Sequence, residues 1–118
     1  MKRSSELFID DIIDAIQSIF TFINGLDYEG FKNDDKTQSA VIRKLEIIGE
    51  AAKSMPVEIT EAYNDIPWSY MAKMRDKLIH GYFGVDAEII WEVICRRFPD
   101  ILPKITQIKR HIGKDTEC

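Results

Sequence analysis

Residues 35–55, DKTQSAVIRKLEIIGEAAKSM, decide the fold class because their apolar side chains recur at helical spacing. The apolar positions step by four, three, four and three residues, which matches one face of an α-helix. They are Val41, Leu45, Ile48, Ala52 and Met55. Asn33, Asp34 and Asp35 offer N-caps before this stripe, and Pro56 ends it. The pattern predicts an amphipathic helix from about Asp35 to about Ser54.

Two segments on either side of this helix show the same spacing. A first helix is predicted from about Ser5 to Asn24, and a polar loop over 26–35 is expected to follow it. Its stripe is Phe8, Ile12, Ala15, Ile19, Phe22 and Leu26. A third helix is predicted to start at 64–67, where Asn64 supplies a cap and Pro67 suits the first turn. Its apolar face is Trp68, Met71, Met74 and Leu78.

A fourth helix is predicted to begin near Asp86. Its stripe is Ile90, Ile94, Phe98, Ile101, Ile105, Ile108 and Ile112. Because the spacing persists across Pro99 and Pro103, we expect one kinked helix or two nearly collinear helices. Four amphipathic helices with short links predict an all-α domain, an antiparallel four-helix bundle.

The composition favours a single small globular domain. The chain has 118 residues, of which 45% are apolar and 31% charged, so one domain over 1–118 is expected, with its core at about 5–112 and a short polar tail. No apolar run reaches the ~20 residues of a membrane span, and no signal-peptide core follows Met1, so a cytoplasmic protein is expected. Many domains of this size gain stability by dimerising.

The two cysteines and two histidines predict neither a disulfide framework nor a metal site. Cys95 and Cys118 lack metal-ligand spacing, and Cys95 is expected to be a small buried hydrophobe. The net charge is -4, so there is no overall basic field to attract nucleic acid. Residues 1–35 hold eight acids and three bases, and residues 36–118 hold twelve acids and thirteen bases. A nucleic-acid role must therefore use a local site.

One local cluster, residues 73–82, carries candidate chemistry. His80 follows Leu78-Ile79 near the predicted end of the third helix, where the helix dipole favours the protonated imidazole. Asp76 lies one turn earlier on the same face and is placed to orient or charge the ring. The residues alone nevertheless favour a structural role for a lone histidine of this kind. His111 is expected to be a surface residue.

Arg75 adds a phosphate-binding group to this cluster. Its guanidinium is a fixed fork of donors, and Lys73 and Lys77 make the segment locally basic. Residues five apart on an ideal helix point about 140° away from each other. Arg75 and His80 can share one phosphate only if the helix ends before His80, or if two copies of the site meet at a two-fold axis.

Tyr82 is the third member of the cluster, and its role stays open at this point. The residues favour a half-buried aromatic whose hydroxyl reaches water. Phosphate contact, base stacking and covalent modification are the functional alternatives.

The cluster resembles a known motif. Arg75-x-x-x-x-His80-x-Tyr82, with polar Asp76 after the arginine, is similar to the motif of HEPN domains. The stretch 43–52, RKLEIIGEAA, resembles the second-helix signature of the HepT branch, and 64–68 with 74–86 and 90–92 resemble its third-helix block and the residues that follow. The resemblance covers residues 5–112.

The resemblance implies a homodimeric ribonuclease toxin of a toxin–antitoxin pair, neutralised by a nucleotidyltransferase antitoxin of the MntA type. The implied chemistry is RNA cleavage without a metal or cofactor, leaving a 2′,3′-cyclic phosphate. By matching position, His80 would be the general acid or base, Arg75 would bind the phosphate, and Asp76 would orient the pair. Tyr82 matches the tyrosine that the partner adenylylates. Lys73 and Lys77 are candidate RNA contacts.

Two alternatives remain open. In the first, the dimer is a non-catalytic helical module that binds a nucleotide or positions a substrate for a nucleotidyltransferase. In the second, it is a purely structural dimer. Glu46 and Glu50 are expected to be surface residues or partners of Arg43, with a contact to Arg75 as the alternative. Trp68 and Trp91 are expected to anchor the core or a dimer interface.

Overall fold

The computed structural model describes residues 5–80 and 86–116, except the side chains at 80 and 113–116. Every regular element in these ranges is helical, which confirms the predicted all-α class. The elements are α1 (Ser5–Ile23), α2 (Tyr28–Lys32), α3 (Asp35–Ser54), α4 (Val57–Ala62), α5 (Trp68–His80), α6 (Ala87–Glu92), a π-helical segment (Val93–Arg97) and α7 (Phe98–Thr116). None of the helices in the described ranges has the length and apolarity needed to cross a membrane. The antiparallel four-helix arrangement stays a prediction.

Helix α3 is the central element, because it packs against both α1 and α5. Its bounds, Asp35–Ser54, are those predicted, and all five stripe residues are buried. Asp34 caps the helix by accepting hydrogen bonds from the hydroxyl of Thr37 at 2.6 Å and from its backbone N–H at 3.0 Å. These bonds stabilise the charged carboxylate and lower the pKa of Asp34. Sequence spacing therefore located the helix that organises the others.

The predicted fourth helix is an uninterrupted run of helical residues from Ala87 to Thr116. Its stripe is buried as far as Ile108, and Ile112 packs half-buried against the same core. In the π-helical segment the N–H of Phe98 donates to the carbonyl of Val93, one residue further back than in an α-helix. Pro99, which follows, has no N–H to donate. The π-helical turn therefore keeps the apolar stripe facing the core on both sides of Pro99, which cannot donate the backbone hydrogen bond of an α-helix.

The segment predicted as a polar loop, 26–35, contains the short helix α2, so that prediction is wrong. Asp27 caps α2 by accepting a hydrogen bond from the N–H of Gly30 at 2.8 Å. Phe31 is fully buried, and its ring centroid lies 5.2 Å from that of Trp91. Helix α2 packs against both α3 and α6, so it is held by tertiary contacts that its own short sequence does not reveal.

Two predicted core residues lie at the surface instead. Cys95 is exposed, because its position in the π-helical segment faces away from the stripe that buries Val93 and Ile94. Phe22 is 38% exposed near the end of α1. The inner face of α1 is built by a run of isoleucines (Ile9, Ile12, Ile13, Ile16 and Ile19). This broad apolar surface covers α3 and α7 without Phe22.

Candidate functional site

Arg75 lies where α5 approaches α3 most closely, opposite Gly49. A Cβ atom at Gly49 would lie 2.7 Å from the carbonyl oxygen of Met71 and would overlap the Cβ of Arg75. Glycine is therefore required at position 49 for the two backbones to approach this closely. The side chain of Arg75 is 24% exposed, so its stem packs between the helices while part of the guanidinium reaches the surface.

Asp76 holds the guanidinium of Arg75 in place. The Nη1 atom of Arg75 donates to Oδ1 of Asp76 at 3.0 Å, and Nζ of Lys53 lies 3.6 Å from the same oxygen. The hydrogen bond from Arg75 lowers the pKa of Asp76, and the charge of Lys53 lowers it further. Asp76 is therefore ionised at neutral pH, where it can accept hydrogen bonds but has no proton to donate. Its chemistry suits orientation of Arg75 rather than acid catalysis.

Arg75 keeps donor capacity beyond the bond to Asp76. Within the described residues the Nε atom of Arg75 is buried without a hydrogen-bond acceptor. The Nη1 atom donates to Asp76. A guanidinium with N–H groups left over can bind phosphate oxygens. The site thus contains one fixed, partly buried cation, Arg75, and one more exposed cation, Lys53, on either side of a carboxylate.

Lys53 and Gly49, which both lie on α3, are not among the site residues predicted from the sequence. No local spacing links them to Arg75 and Asp76, because the link is the packing of α3 on α5. The signal available in the sequence was Gly49 itself, since a glycine inside an amphipathic helix indicates a close backbone approach. Lys53 carried no comparable signal.

His80 is the last residue of α5, so the alternative in which the helix ends before His80 is not what the structure shows. Positions 75 and 80 are therefore about 140° apart around the helix and about 7.5 Å apart along it. A site shared between two copies of the chain, the other arrangement that lets them share a phosphate, stays a prediction. The side chain of His80 and all of Tyr82 lie outside the described residues.

Lys73 and Lys77 are both exposed on α5. With position 80 they fall within an arc of about 60° on this helix. Both candidate RNA contacts therefore lie on the side of α5 on which position 80 also lies. Among the residues described, no group of three His, Cys, Asp or Glu side chains is arranged to hold a metal ion.

Two of the remaining candidates, Glu46 and His111, lie close to partner side chains. Glu46 lies 4.0 Å from Arg43, and within the described residues no ion pair joins Glu46 or Glu50 to Arg75. His111 is exposed, as predicted, with its Nδ1 atom 3.3 Å from the hydroxyl of Tyr63.

Both tryptophans pack as expected for core anchors. The indole of Trp68 is buried and donates to the carbonyl of Tyr63 at 3.1 Å. Trp91 packs half-buried on Phe31.

Comparison with known proteins finds one family over most of the chain. The family described as Ribonuclease HepT-like matches residues 12–108. A protein from Thermococcus cleftensis named "Probable ribonuclease HepT" is 44% identical over 110 residues, which are 93% of this chain and 100% of that protein. A Methanocaldococcus jannaschii protein named "Putative RNase" is 40% identical over 116 residues, 98% of this chain and 96% of that protein. No solved structure matches the chain.

Proposed function

Because the chain belongs to the ribonuclease HepT-like family, we propose that it is an endoribonuclease whose active site combines Arg75 and His80 of two subunits. The observation that supports this most is the fixed Arg75–Asp76 pair at the contact of α3 and α5. A guanidinium held in place before substrate arrives is what stabilisation of a charged transition state requires. Position 80 at the end of the same helix supplies the proton-transfer group.

The proposed reaction needs no metal ion. The 2′-hydroxyl of RNA attacks the adjacent phosphorus, its proton passes to a base, and an acid protonates the departing 5′-oxygen. The products are a 2′,3′-cyclic phosphate and a free 5′-hydroxyl. In a two-fold dimer, His80 of one subunit acts as the general base or the general acid beside Arg75 of the other subunit, and water exchanges the second proton. Arg75 neutralises the charge that accumulates on the phosphate, while Asp76 keeps the guanidinium oriented.

We further propose that the protein is the toxin of a toxin–antitoxin pair whose antitoxin is a nucleotidyltransferase of the MntA type. Transfer of AMP from ATP to the hydroxyl of Tyr82 would release pyrophosphate and leave a phosphodiester two residues from His80. The added negative charge would pair with the cations that otherwise receive RNA, so the modified toxin would be inactive.

The principal alternative is a non-catalytic module that binds a nucleotide or presents a substrate to a nucleotidyltransferase. Arg75 and Lys53 on either side of Asp76 are equally suited to holding a phosphate without cleaving it. The two functions differ in whether His80 is needed for a chemical step.

Cleavage of RNA in EDTA tests the proposal, because EDTA removes metal-dependent contaminants. We expect the wild type and His111→Ala to cleave total RNA and labelled tRNA, and His80→Ala and Arg75→Ala to be inactive. His111→Ala is the matched control, since His111 is exposed at a distance in sequence from the site. The fragments should carry cyclic phosphate ends. Cleavage that survives in His80→Ala, or that stops with EDTA, would contradict the mechanism.

An inactive wild type has a separate explanation that the same sample tests. Intact mass spectrometry reports whether AMP is attached, and Tyr82→Phe removes its acceptor hydroxyl. Recovery of cleavage in Tyr82→Phe would support the toxin. An unmodified wild type that binds nucleotide and does not cleave RNA would support the non-catalytic module.

A further inference from the structure

A groove separate from Arg75 lies between α5 and the α6–π-helical segment. Its volume is about 310 Å³, within the usual range of roughly 300–1,000 Å³ for ligand pockets. It is lined by Tyr70, Ile89, Glu92, Val93, Arg96 and Arg97. The groove thus combines an aromatic ring, two apolar side chains and two guanidinium groups against a single carboxylate.

Tyr70 and Arg97 form a stacked pair in this groove. The guanidinium carbon of Arg97 lies 4.8 Å from the centroid of the Tyr70 ring, a cation–π contact. Tyr70 is 37% exposed even so. Aromatic rings and guanidinium planes are the surfaces on which unpaired nucleic-acid bases stack. An exposed Tyr–Arg stack is therefore a platform for a base.

Arg96 adds an exposed positive charge to the groove. Its side chain is 80% exposed and lies 3.9 Å from Glu92, which is 63% exposed. An ion pair this exposed contributes little, so Glu92 does not hold Arg96 in one position. The groove carries two cations and one anion in a chain whose net charge is -4. A local excess of positive charge in an acidic protein points to an anionic ligand.

The exposed lysines of α5 lie on the same side of that helix as Tyr70. Lys73 lies about 60° from Tyr70 around the helix and Lys77 about 20° from it. Position 80 lies about 80° from Tyr70 and about 15 Å further along the axis. A strip of exposed lysines therefore runs from the Tyr70–Arg97 stack toward the end of α5. Its length suits a few nucleotides rather than a single small anion.

We propose that this groove is an RNA-binding subsite in which Tyr70 and Arg97 stack an unpaired base and Arg96 contacts its phosphate. The inference rests on the proposed function, because it adds a subsite for the strand that His80 would cleave. Stacking requires bases that are not paired, so the substrate class is single-stranded RNA or a loop of a folded RNA. The competing occupant, another protein surface against Tyr70 and Ile89, is an outcome of the test.

Binding of a strand that cannot be cleaved tests the subsite apart from catalysis. The probe is a fluorescein-labelled single-stranded 2′-O-methyl oligonucleotide of mixed sequence, followed by fluorescence anisotropy. We expect Tyr70→Ala to weaken binding about tenfold, and Tyr70→Phe to retain it, because stacking needs only the ring. Arg96→Ala, at a highly exposed position, should lower the slope of log affinity against log salt by about 0.7.

Arg110→Ala is the matched control for Arg96→Ala, since both remove one exposed arginine and position 110 lies about 20 Å further along the helical segment. Unchanged binding in Tyr70→Ala and Arg96→Ala, while the wild type still cleaves RNA, would overturn the subsite and leave the proposed function standing. Weakened binding in Tyr70→Ala, together with no cleavage by the wild type, would support the subsite and contradict the proposed function. If the particle mass of Tyr70→Ala in solution were half that of the wild type, the groove would be a subunit interface. That result would overturn the proposal.

Discussion

The guanidinium of Arg75 is restrained by two different means. Its stem is enclosed where α5 meets Gly49, and its Nη1 atom is hydrogen-bonded to Asp76. A charge restrained in this way needs little reorganisation when a phosphate binds, which is the basis of electrostatic catalysis. Lysine at position 75 would keep the charge but lose the planar fork of donors. The proposed phosphate-binding role of residue 75 therefore depends on geometry as well as charge.

We predict that Asp76→Asn lowers thermal stability by an amount that depends on pH. The pKa of Asp76 is lowered in the folded protein, chiefly by the hydrogen bond from Arg75. A lowered pKa contributes stability above the unfolded value of 3.8, and that contribution is lost as pH falls through the folded value. The difference in melting temperature between wild type and Asp76→Asn should be constant from about pH 5 to 9 and should shrink below about pH 4.

Lys53→Gln is the comparison for this measurement. It removes the second cation near Asp76 and leaves the hydrogen bond from Arg75, so its effect on the same curve should be smaller. A melting difference for Asp76→Asn that disappears near pH 6, or that shows no dependence on pH over the whole range, would show that Arg75 does not hold the pKa of Asp76 low.

At the scale of elements, the contact of α3 with α5 positions the candidate site. Gly49 permits the approach, Met71 and Leu78 bury the adjoining face of α5, and Lys53 reaches Asp76 across the contact. A shift of either helix would move Arg75 relative to Lys53. The site is thus a property of two packed helices, although its proposed reacting residues all lie on or after α5.

We predict that Gly49→Ala is destabilising, although the same change inside an exposed helix usually stabilises by about 1 kcal/mol. The new methyl group would collide with the Met71 carbonyl and the Arg75 side chain, and backbone atoms cannot rotate away. Overpacking of this kind costs about 1–3 kcal/mol, which exceeds the gain in helix propensity. Chemical denaturation measures the sign, and the RNA cleavage assay should show a parallel loss.

Ser39→Ala is the matched control on α3, because Ser39 is exposed and the substitution tests helix propensity without a steric conflict. Its free energy of unfolding should change by less than about 0.5 kcal/mol. If Gly49→Ala were as stable as the wild type, the close approach of α3 and α5 would not be required for folding.

At the scale of the whole molecule, one chain does not bring positions 75 and 80 to a common face. Helix α5 includes His80, so the separation of about 140° applies within the subunit. A two-fold dimer with this helix near its axis would place the arginines and histidines of both copies around one cleft. The proposed active site is therefore one shared between two subunits.

Mixing two inactive variants tests this arrangement. We predict that Arg75→Ala and His80→Ala proteins, unfolded together and refolded, regain cleavage, because a mixed dimer has one intact arginine and one intact histidine from different chains. Random pairing would give about a quarter of the wild-type rate if the two residues act across the interface. Each variant refolded alone is the control and should stay inactive. No recovery in the mixture would place both groups within one subunit.

The sequence by itself determined the helical class, the bounds of α3, and the core faces of α3, α5 and the segment from Ala87 onward. It did so because a buried helix face imposes a period of about 3.6 residues that side-chain chemistry makes visible. Helix α2 was not predictable in this way, since a helix of five residues is held by the contacts of Phe31 rather than by its own periodicity.

The candidate site also has one part that the sequence predicts and one part that only helix packing reveals. Arg75, Asp76 and His80 are close to one another in the sequence, so a local motif predicts them without any knowledge of packing. Gly49 and Lys53 join them only when α3 packs on α5, and Tyr70 meets Arg97 only across the groove between α5 and the π-helical segment. Tertiary structure alone decided these contacts, because a local pattern encodes which face of a helix is buried but not which partner covers it.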